Sequence, residues 1–187
     1  MKGSAVRQHI VQTASDLFYQ NGYNATGINE VIAVSGIAKA TLYNHFKSKK
    51  ELCIAYLQFK NTSFSKDIKK YCADRQPGKA QVLALFDYLG EFYQQKEFNG
   101  CWCIKTVAEI PIDEDSIRQE IQSQKVQLIS FIDHLLESNR LVSKPAERMN
   151  LARRIYLLYE GAVSESHLHR EDWPIVEAKN ICTQVIQ

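Results

Sequence analysis

The sequence predicts an all-α protein of about nine helices, with a three-helix N-terminal domain followed by a larger helical C-terminal domain. Apolar residues recur at steps of three and four along most of the 187 residues. Turn-forming residues separate these periodic segments, and no segment shows the alternation of a half-buried strand. We place the domain boundary so that residues 1–47 form the first domain and residues 48–187 form the second.

The first two helices are predicted from their apolar stripes and their ends. The first covers about residues 5–21, and Gly22 ends it in the left-handed conformation. Thr26 is expected to cap the second helix. The inward-facing residues are Val6, Ile10, Ala14, Leu17 and Phe18 in the first helix, and Ile28, Val31 and Ile32 in the second.

A tight turn at Ser35-Gly36 joins the second helix to a third, at about residues 38–46, and this layout is that of a helix-turn-helix. Leu42 and Phe46 lie one turn apart and should face the core. At about 100° per residue, the opposite side carries Ala40 and Asn44, with Thr41 and Tyr43 on the flanks.

The third helix has residues suited to reading DNA. Lys39 stands in the first turn, the part of a recognition helix that reaches base edges. Lys39 and Asn44 can hydrogen-bond to bases, and the small Ala40 permits close approach. Lys47 and Lys49 follow the helix as candidate phosphate contacts, which position a protein without reading sequence.

Basic residues are concentrated in the N-terminal part of the chain. Residues 1–50 contain six Lys or Arg and two acidic residues, whereas the other 137 residues contain 17 basic and 19 acidic residues. A basic head on a slightly acidic body is typical of a phosphate-binding module attached to a domain that does not bind nucleic acid.

A long fourth helix is expected to belong to both halves of the molecule. It begins near Ser48, a suitable N-cap, and ends before the turn-forming segment Arg75-Gln76-Pro77-Gly78. We therefore expect this helix to transmit movement between the two halves. The remaining helices are expected at about residues 79–96, 100–110, 115–139, 145–169 and 174–187.

The pattern T-x-x-x-x-V-I-A-x-S-G-I-A-K-A-T-L-Y-N-H-F-K-S-K-x-E-L resembles the N-terminal domain of TetR-family repressors, and the resemblance covers about residues 5–55. It implies a homodimer that binds a palindromic operator in double-stranded DNA and is released by a small-molecule effector. The positions that it implies face DNA are Thr26, Lys39, Thr41, Tyr43, Asn44, His45 and Lys49. Polar packing beneath the third helix is an equal alternative for His45.

The last two helices carry apolar stripes that allow two interpretations. The stripes are Leu151, Ile155, Leu158 and Ala162 in the eighth helix, and Val176, Ile181, Cys182, Val185 and Ile186 in the ninth. The pattern alone fits completion of the monomer core as well as it fits dimerisation. The family resemblance implies a dimer interface made of these two helices from each chain, and Gly161-Ala162 permits close helix approach.

The segment Asn99-Gly100-Cys101-Trp102-Cys103-Ile104-Lys105 is the second informative stretch. The Asn-Gly turn should place Cys101 at the start of the sixth helix. There the helix dipole and Lys105, one turn later, favour the thiolate. An accessible thiolate is the first target of oxidants and electrophiles.

The block G-C-x-x-x-K-x-x-A-E also resembles a TetR subgroup that senses electrophiles, quinones or reactive chlorine. This resemblance implies a sensor site of Cys101, Trp102, Cys103 and Lys105, with His167 at the basic partner position where the subgroup has Lys. Two alternatives stay open. Cys101 and Cys103 can be small buried hydrophobes, or they can bind zinc together with His167 or His169.

We therefore expect a cytoplasmic, homodimeric DNA-binding repressor, released by a small-molecule effector or by modification of Cys101. We expect no enzymatic activity, cofactor, bound metal or membrane association. The alternatives are a thiol-dependent redox protein, a repressor that responds only to a reversible ligand, and a helical adaptor for a protein partner. The redox enzyme is disfavoured because the sequence has no C-x-x-C motif and no nucleotide-binding glycine fingerprint.

Overall fold

Nine α-helices and no β-strand make up residues 2–186, the part of the chain that this computed structural model describes. Residues 1 and 187, the outermost residues of the two predicted domains, lie outside it. The helices are α1 (Lys2–Asn21), α2 (Ile28–Ser35), α3 (Lys39–His45), α4 (Lys49–Ala73), α5 (Lys79–Tyr93), α6 (Trp102–Glu109), α7 (Asp115–Ser138), α8 (Pro145–His169) and α9 (Trp173–Val185). The predicted all-α class is confirmed. No helix within residues 2–186 is long and apolar enough to cross a membrane.

The chain forms two compact units, each built from two separate stretches of sequence. The first unit contains the residues up to 63 together with 102–123, and the second contains residues 64–101 and those from 124 onward. Helices α4 and α7 therefore contribute residues to both units. The boundary after residue 47 divides the chain by expected function and stays a prediction.

The first unit packs α1, α2, α3 and the start of α4 around almost fully buried apolar side chains. These are Ile10, Ala14, Phe18, Val31, Leu42, Phe46, Leu52 and Tyr56. The ring of Phe18 lies 5.6 Å from the ring of Tyr23 and 5.6 Å from that of Tyr56. Six of the inward positions predicted from the helical period are thus confirmed as core, whereas four others are only half-buried: Val6, Leu17, Ile28 and Ile32.

In the second unit, α5, α8 and α9 pack against one another. The stripe predicted for α8 completes this core: Leu151, Ile155 and Ala162 are buried, and Leu158 is half-buried against the core. A different row of α8 faces outward, where Leu157 is 66% exposed and Leu168 is 70% exposed.

Helix α5 ends at Tyr93, three residues earlier than predicted. The chain turns there, and Phe98 packs its ring 5.4 Å from Phe92 and 5.2 Å from Tyr93. Edge-to-face contacts of this kind stabilise a pair of rings beyond the burial of their area.

Candidate nucleic-acid interface and cysteine site

The turn between α2 and α3 is fixed by its own hydrogen bonds and by α1. Gly36 adopts a left-handed conformation with φ 66°, and its amide donates to Ile32 O. The Ser35 hydroxyl donates to Val31 O at 2.6 Å, and His9 Nε2 donates to Ser35 O at 3.0 Å. Left-handed backbone favours glycine, which accounts for Gly36 at this position.

Helix α3 presents one continuous exposed face. Leu42 and Phe46 are buried beneath it. The exposed residues are Lys39, Ala40, Tyr43 and Asn44, while Thr41 and His45 are half-buried at its sides. The structure therefore brings the predicted base-reading residues together on one surface, and their contacts with DNA stay predictions.

Thr26 does not cap α2, so this prediction is wrong. Gly27 occupies the N-cap position, and no side chain caps the helix. The buried Thr26 hydroxyl donates to Gly22 O at 2.8 Å and also approaches Leu17 O. Gly22 lies just beyond the end of α1, where carbonyl groups lack helical partners, and a buried hydroxyl satisfies one there. A phosphate contact by Thr26 stays a prediction, and this burial does not favour it.

The two lysines predicted to hold phosphates have different surroundings. Lys47 is exposed beside α3. Lys49 is half-buried, with its Nζ 4.4 Å from the centre of the Tyr23 ring and 3.4 Å from Asn24 O. Burial lowers the pKa of the Lys49 ammonium, although Cys53 and Glu109 act in the opposite direction. The Ser48 hydroxyl accepts the Glu51 amide at 3.1 Å, which confirms Ser48 as the N-cap of α4.

The last residue of α6, Glu109, binds the turn between α1 and α2. The backbone amide of Asn24 donates to Glu109 Oε2 at 2.6 Å, and the side-chain Nδ2 of Asn24 donates to Glu109 O at 2.7 Å. Gly22 has φ 95°, and a Cβ there would lie 2.6 Å from Glu109 Oε1. Glycine at position 22 therefore supplies both the left-handed turn and the space for the carboxylate.

Cys101 lies immediately before α6, as the sequence predicts, in a segment that requires glycine beside it. Gly100 has φ 75°, and a Cβ there would lie 3.0 Å from the ring of His167. Cys101 is half-buried, whereas the other four cysteines are buried. Burial raises the pKa of three of these four thiols to about 12: Cys53, Cys72 and Cys182. Cys101 is thus the cysteine best placed to react.

The cation beside Cys101 is Lys125 of α7, which corrects the prediction of Lys105. Lys125 Nζ lies 3.1 Å from Cys101 Sγ and 2.7 Å from Glu160 Oε1. Lys105 instead donates to Tyr19 O at 3.0 Å. Lys105 follows Cys101 by one helical turn in sequence. The Lys105 side chain nevertheless extends to α1, where it binds Tyr19 O.

The surroundings of Glu160, beside Lys125 and Cys101, change the pKa of its carboxyl group. Its side chain is only 15% exposed. Burial, with a further contribution from Cys101, raises the pKa of Glu160 to about 7, while the Lys125 ammonium acts to lower it. Near neutral pH this carboxyl group therefore changes its charge next to the thiol.

The other predicted sensor residues have different surroundings. His167 is exposed, with its ring 6.1 Å from that of Phe98. Cys103 is buried, and Trp102 is half-buried with Lys60 Nζ 5.6 Å from its ring centre. Within residues 2–186, no three His, Cys, Asp or Glu side chains are grouped so that they could hold a metal ion. The zinc alternative therefore has no structural support in the described chain.

Sequence reasoning missed Lys125 and Glu160. They lie 24 and 59 residues from Cys101 along the chain, on two different helices. Each is one polar residue among many on an amphipathic helix, and no local pattern pairs them. Only the packing of α7 against α8 makes them a site.

Comparisons with known proteins agree with this description. Residues 10–56 match the family model for bacterial regulatory proteins of the tetR family. The HTH-type transcriptional repressor NemR of Escherichia coli (strain K12) is 22% identical over 177 residues, covering 92% of this chain and 89% of NemR. The HTH-type regulator QacR of Staphylococcus aureus is 35% identical over 65 residues, covering 35% of each protein.

Solved structures share the fold along almost the whole chain. The crystal structure of the reduced form of E. coli NemR superimposes with a TM-score of 0.87 at 20% identity, covering 98% of this chain and 97% of NemR. A TetR-family regulator of Streptomyces coelicolor, SCO4454, gives a TM-score of 0.86 at 20% identity, covering 98% of this chain and 96% of that chain.

Proposed function

This chain belongs to the TetR family of bacterial DNA-binding transcription regulators, and we propose that it is a homodimeric repressor that leaves its palindromic operator when Cys101 is modified. The observation that carries the proposal is the position of α6. Cys101 directly precedes this helix, and Glu109 at its other end binds the α1–α2 turn of the DNA-binding module.

The exposed face of α3 supports sequence-specific recognition. An amide side chain such as that of Asn44 can donate to and accept from an adenine edge in the major groove, and Lys39 can donate to guanine. Lys47, outside this face, carries charge without a means of reading bases, so it is suited to phosphate. Half-buried His45 and Thr41 support the face from its sides.

Exposed apolar residues on α8 and α9 support dimerisation. Leu157 and Leu168 are on α8, and Trp173, Val176 and Ile181 on α9 are 48%, 54% and 42% exposed. Apart from the backbone of α8 itself, no atom of residues 2–186 lies within 4 Å of a Cβ placed on Gly161, so a partner helix can approach closely at that point. A two-fold axis through this surface gives two copies of α3, which match successive major grooves when they lie about 34–36 Å apart.

Modification of Cys101 by a conjugated electrophile such as a quinone is a balanced addition. The thiolate sulfur forms a bond to the electron-poor carbon, and the displaced π electrons become an enolate. The enolate then takes up the proton that the thiol lost, so no leaving group or separate oxidant is needed. The adduct releases DNA only if it is more stable in the conformation that cannot bind the operator than in the conformation that can.

A reversible ligand is the second candidate, and one feature of the second unit favours it. A groove of about 740 Å³ runs between α5 and α9, where its lining includes Tyr71, Phe86, Glu91 and Lys179. This combination of aromatic and charged groups is typical of a small-molecule site. Binding there would act without any change at Cys101.

We expect Asn44→Ala to weaken binding to the operator by about 1–3 kcal/mol while leaving binding to a scrambled duplex unchanged, because Asn44 reads bases. Lys47→Ala is the matched control and should weaken binding to both duplexes and reduce the salt dependence. Fluorescence anisotropy with a duplex selected by the wild-type protein from a random library measures both effects. Equal affinity of wild type and Asn44→Ala for the selected duplex would contradict base reading.

We expect Leu157→Glu to convert the dimer into a monomer, because it places a charge in the proposed interface. Val126→Glu is the control, since Val126 is 60% exposed on α7, which is not one of the two helices of the proposed interface. Sedimentation velocity distinguishes the two species. The interface is assigned wrongly if Leu157→Glu sediments as wild type does, or if Val126→Glu dissociates equally.

We expect p-benzoquinone to release the wild-type protein from the selected duplex and to leave Cys101→Ser bound, because the other cysteines are buried. Cys103→Ser, two residues away, should respond as wild type does. Release of Cys101→Ser at the same quinone concentration would remove Cys101 as the sensor. Release of both proteins by a compound without electrophilic character would favour the reversible ligand.

A further inference from the structure

One ammonium group faces two acidic groups beside α6. Lys125 Nζ lies 3.1 Å from Cys101 Sγ and 2.7 Å from Glu160 Oε1, and the Lys125 and Glu160 side chains are 17% and 15% exposed. All three residues belong to the same compact unit. A single positive charge in such a poorly solvated place can compensate one negative charge well, but not two.

The thiol and the carboxyl group therefore compete for Lys125. If Glu160 is ionised, a thiolate at Cys101 adds a second negative charge close to the first. If Glu160 is protonated, the ammonium is available to the thiolate. Ionisations coupled in this way belong to the pair, because each proton lost makes the second harder to remove.

Other titratable groups near Glu160 do not take over this role. Tyr159, its neighbour on α8, has a pKa raised well above the usual range by burial. Tyr88 of α5 and Cys72 of α4 act on Tyr159, and burial raises the pKa of each to about 12. His167 of α8 lies against Gly100, the residue before Cys101, so its contribution is measured separately.

We propose that Glu160 restrains Cys101: its ionised carboxylate occupies Lys125 and holds Cys101 as the thiol, and loss of that charge transfers the ammonium to a reactive thiolate. Glu160 is thus a positioning residue that sets the threshold at which soft electrophiles modify the protein. This inference rests on Cys101 as the modified residue of the proposed function. The additional claim is that the reactivity of Cys101 is set by Glu160, which lies 59 positions away in sequence.

Alkylation of Cys101 by iodoacetamide tests the restraint directly. The thiolate sulfur forms a bond to carbon as the carbon–iodine bond breaks, iodide leaves, and the thiol proton passes to solvent. The rate therefore follows the thiolate fraction. It is measured on the full-length protein without DNA, from the mass of the Cys101 peptide, between pH 5.5 and pH 9.

Glu160→Gln should alkylate at about the wild-type rate at pH 5.5 and roughly threefold to tenfold faster at pH 8, since a like charge at this distance shifts ionisation by about 1 pH unit or more. The ratio rises through pH 7 because that is where Glu160 loses its proton. Lys125→Met should alkylate roughly tenfold more slowly than wild type at pH 8, because the thiolate then faces the carboxylate without the ammonium.

Asp133→Asn is the matched control, because Asp133 forms a similarly buried ion pair with Arg148 in the same unit. It should leave the alkylation rate unchanged. The pH-dependent ratio should also persist when both proteins carry His167→Gln, and its disappearance there would assign the restraint to His167 and overturn the proposal.

Two further results would overturn it. One is a Glu160→Gln rate at pH 8 equal to or below wild type. The other is acceleration by Glu160→Gln and Lys125→Met alike, which indicates that both merely loosen the site. Because the assay contains no DNA, failure of Cys101 to control operator release leaves these rates unaffected and is seen only in the quinone experiment.

Discussion

Two hydrogen bonds between Asn24 and Glu109 are the contact on which the proposed regulation depends. They attach the end of α6 to the turn that leads from α1 into the helix-turn-helix. Lys105, in the same helix, binds the carbonyl of Tyr19 in α1. In the proposed mechanism, this eight-residue helix transmits a displacement of its first turn, because a short α-helix is stiff along its axis and its backbone bonds are internal.

At the other end of α6, the proposed control of Cys101 reactivity acts through charge and not through exposure alone. Cys101 is only half-buried, and a cation lies beside it, yet that cation is shared with a carboxylate. A thiol that was always ionised would be consumed by any oxidant. The proposed competition for Lys125 would limit ionisation of Cys101 while keeping the ammonium that can stabilise the thiolate within contact distance.

Local patterns in the sequence predicted most of the fold and, at the cysteine site, the position of Cys101 but neither Lys125 nor Glu160. Helical periodicity identified the nine helices and the buried Leu42 and Phe46, and the Asn99-Gly100 turn located Cys101 before α6. The failures share a cause. Both wrong predictions, Thr26 as a cap and Lys105 as the partner of Cys101, were based on proximity in sequence. In the folded chain, the Thr26 hydroxyl binds Gly22 O at the end of α1, and the cation beside Cys101 is Lys125 of α7. Contacts between distant helices leave no local signal.

Hydrogen exchange at the Asn24 amide tests the link between the cysteine and the DNA-binding module most directly, because this amide donates to Glu109 Oε2. Exchange is followed in residues 22–27 before and after Cys101 is alkylated, with Cys101→Ser treated in the same way. The account predicts several-fold faster exchange in this turn after alkylation of the wild type, no change in Cys101→Ser, and unchanged protection in the middle of α1. Unchanged exchange at Asn24 in alkylated protein that has lost operator binding would contradict transmission through α6.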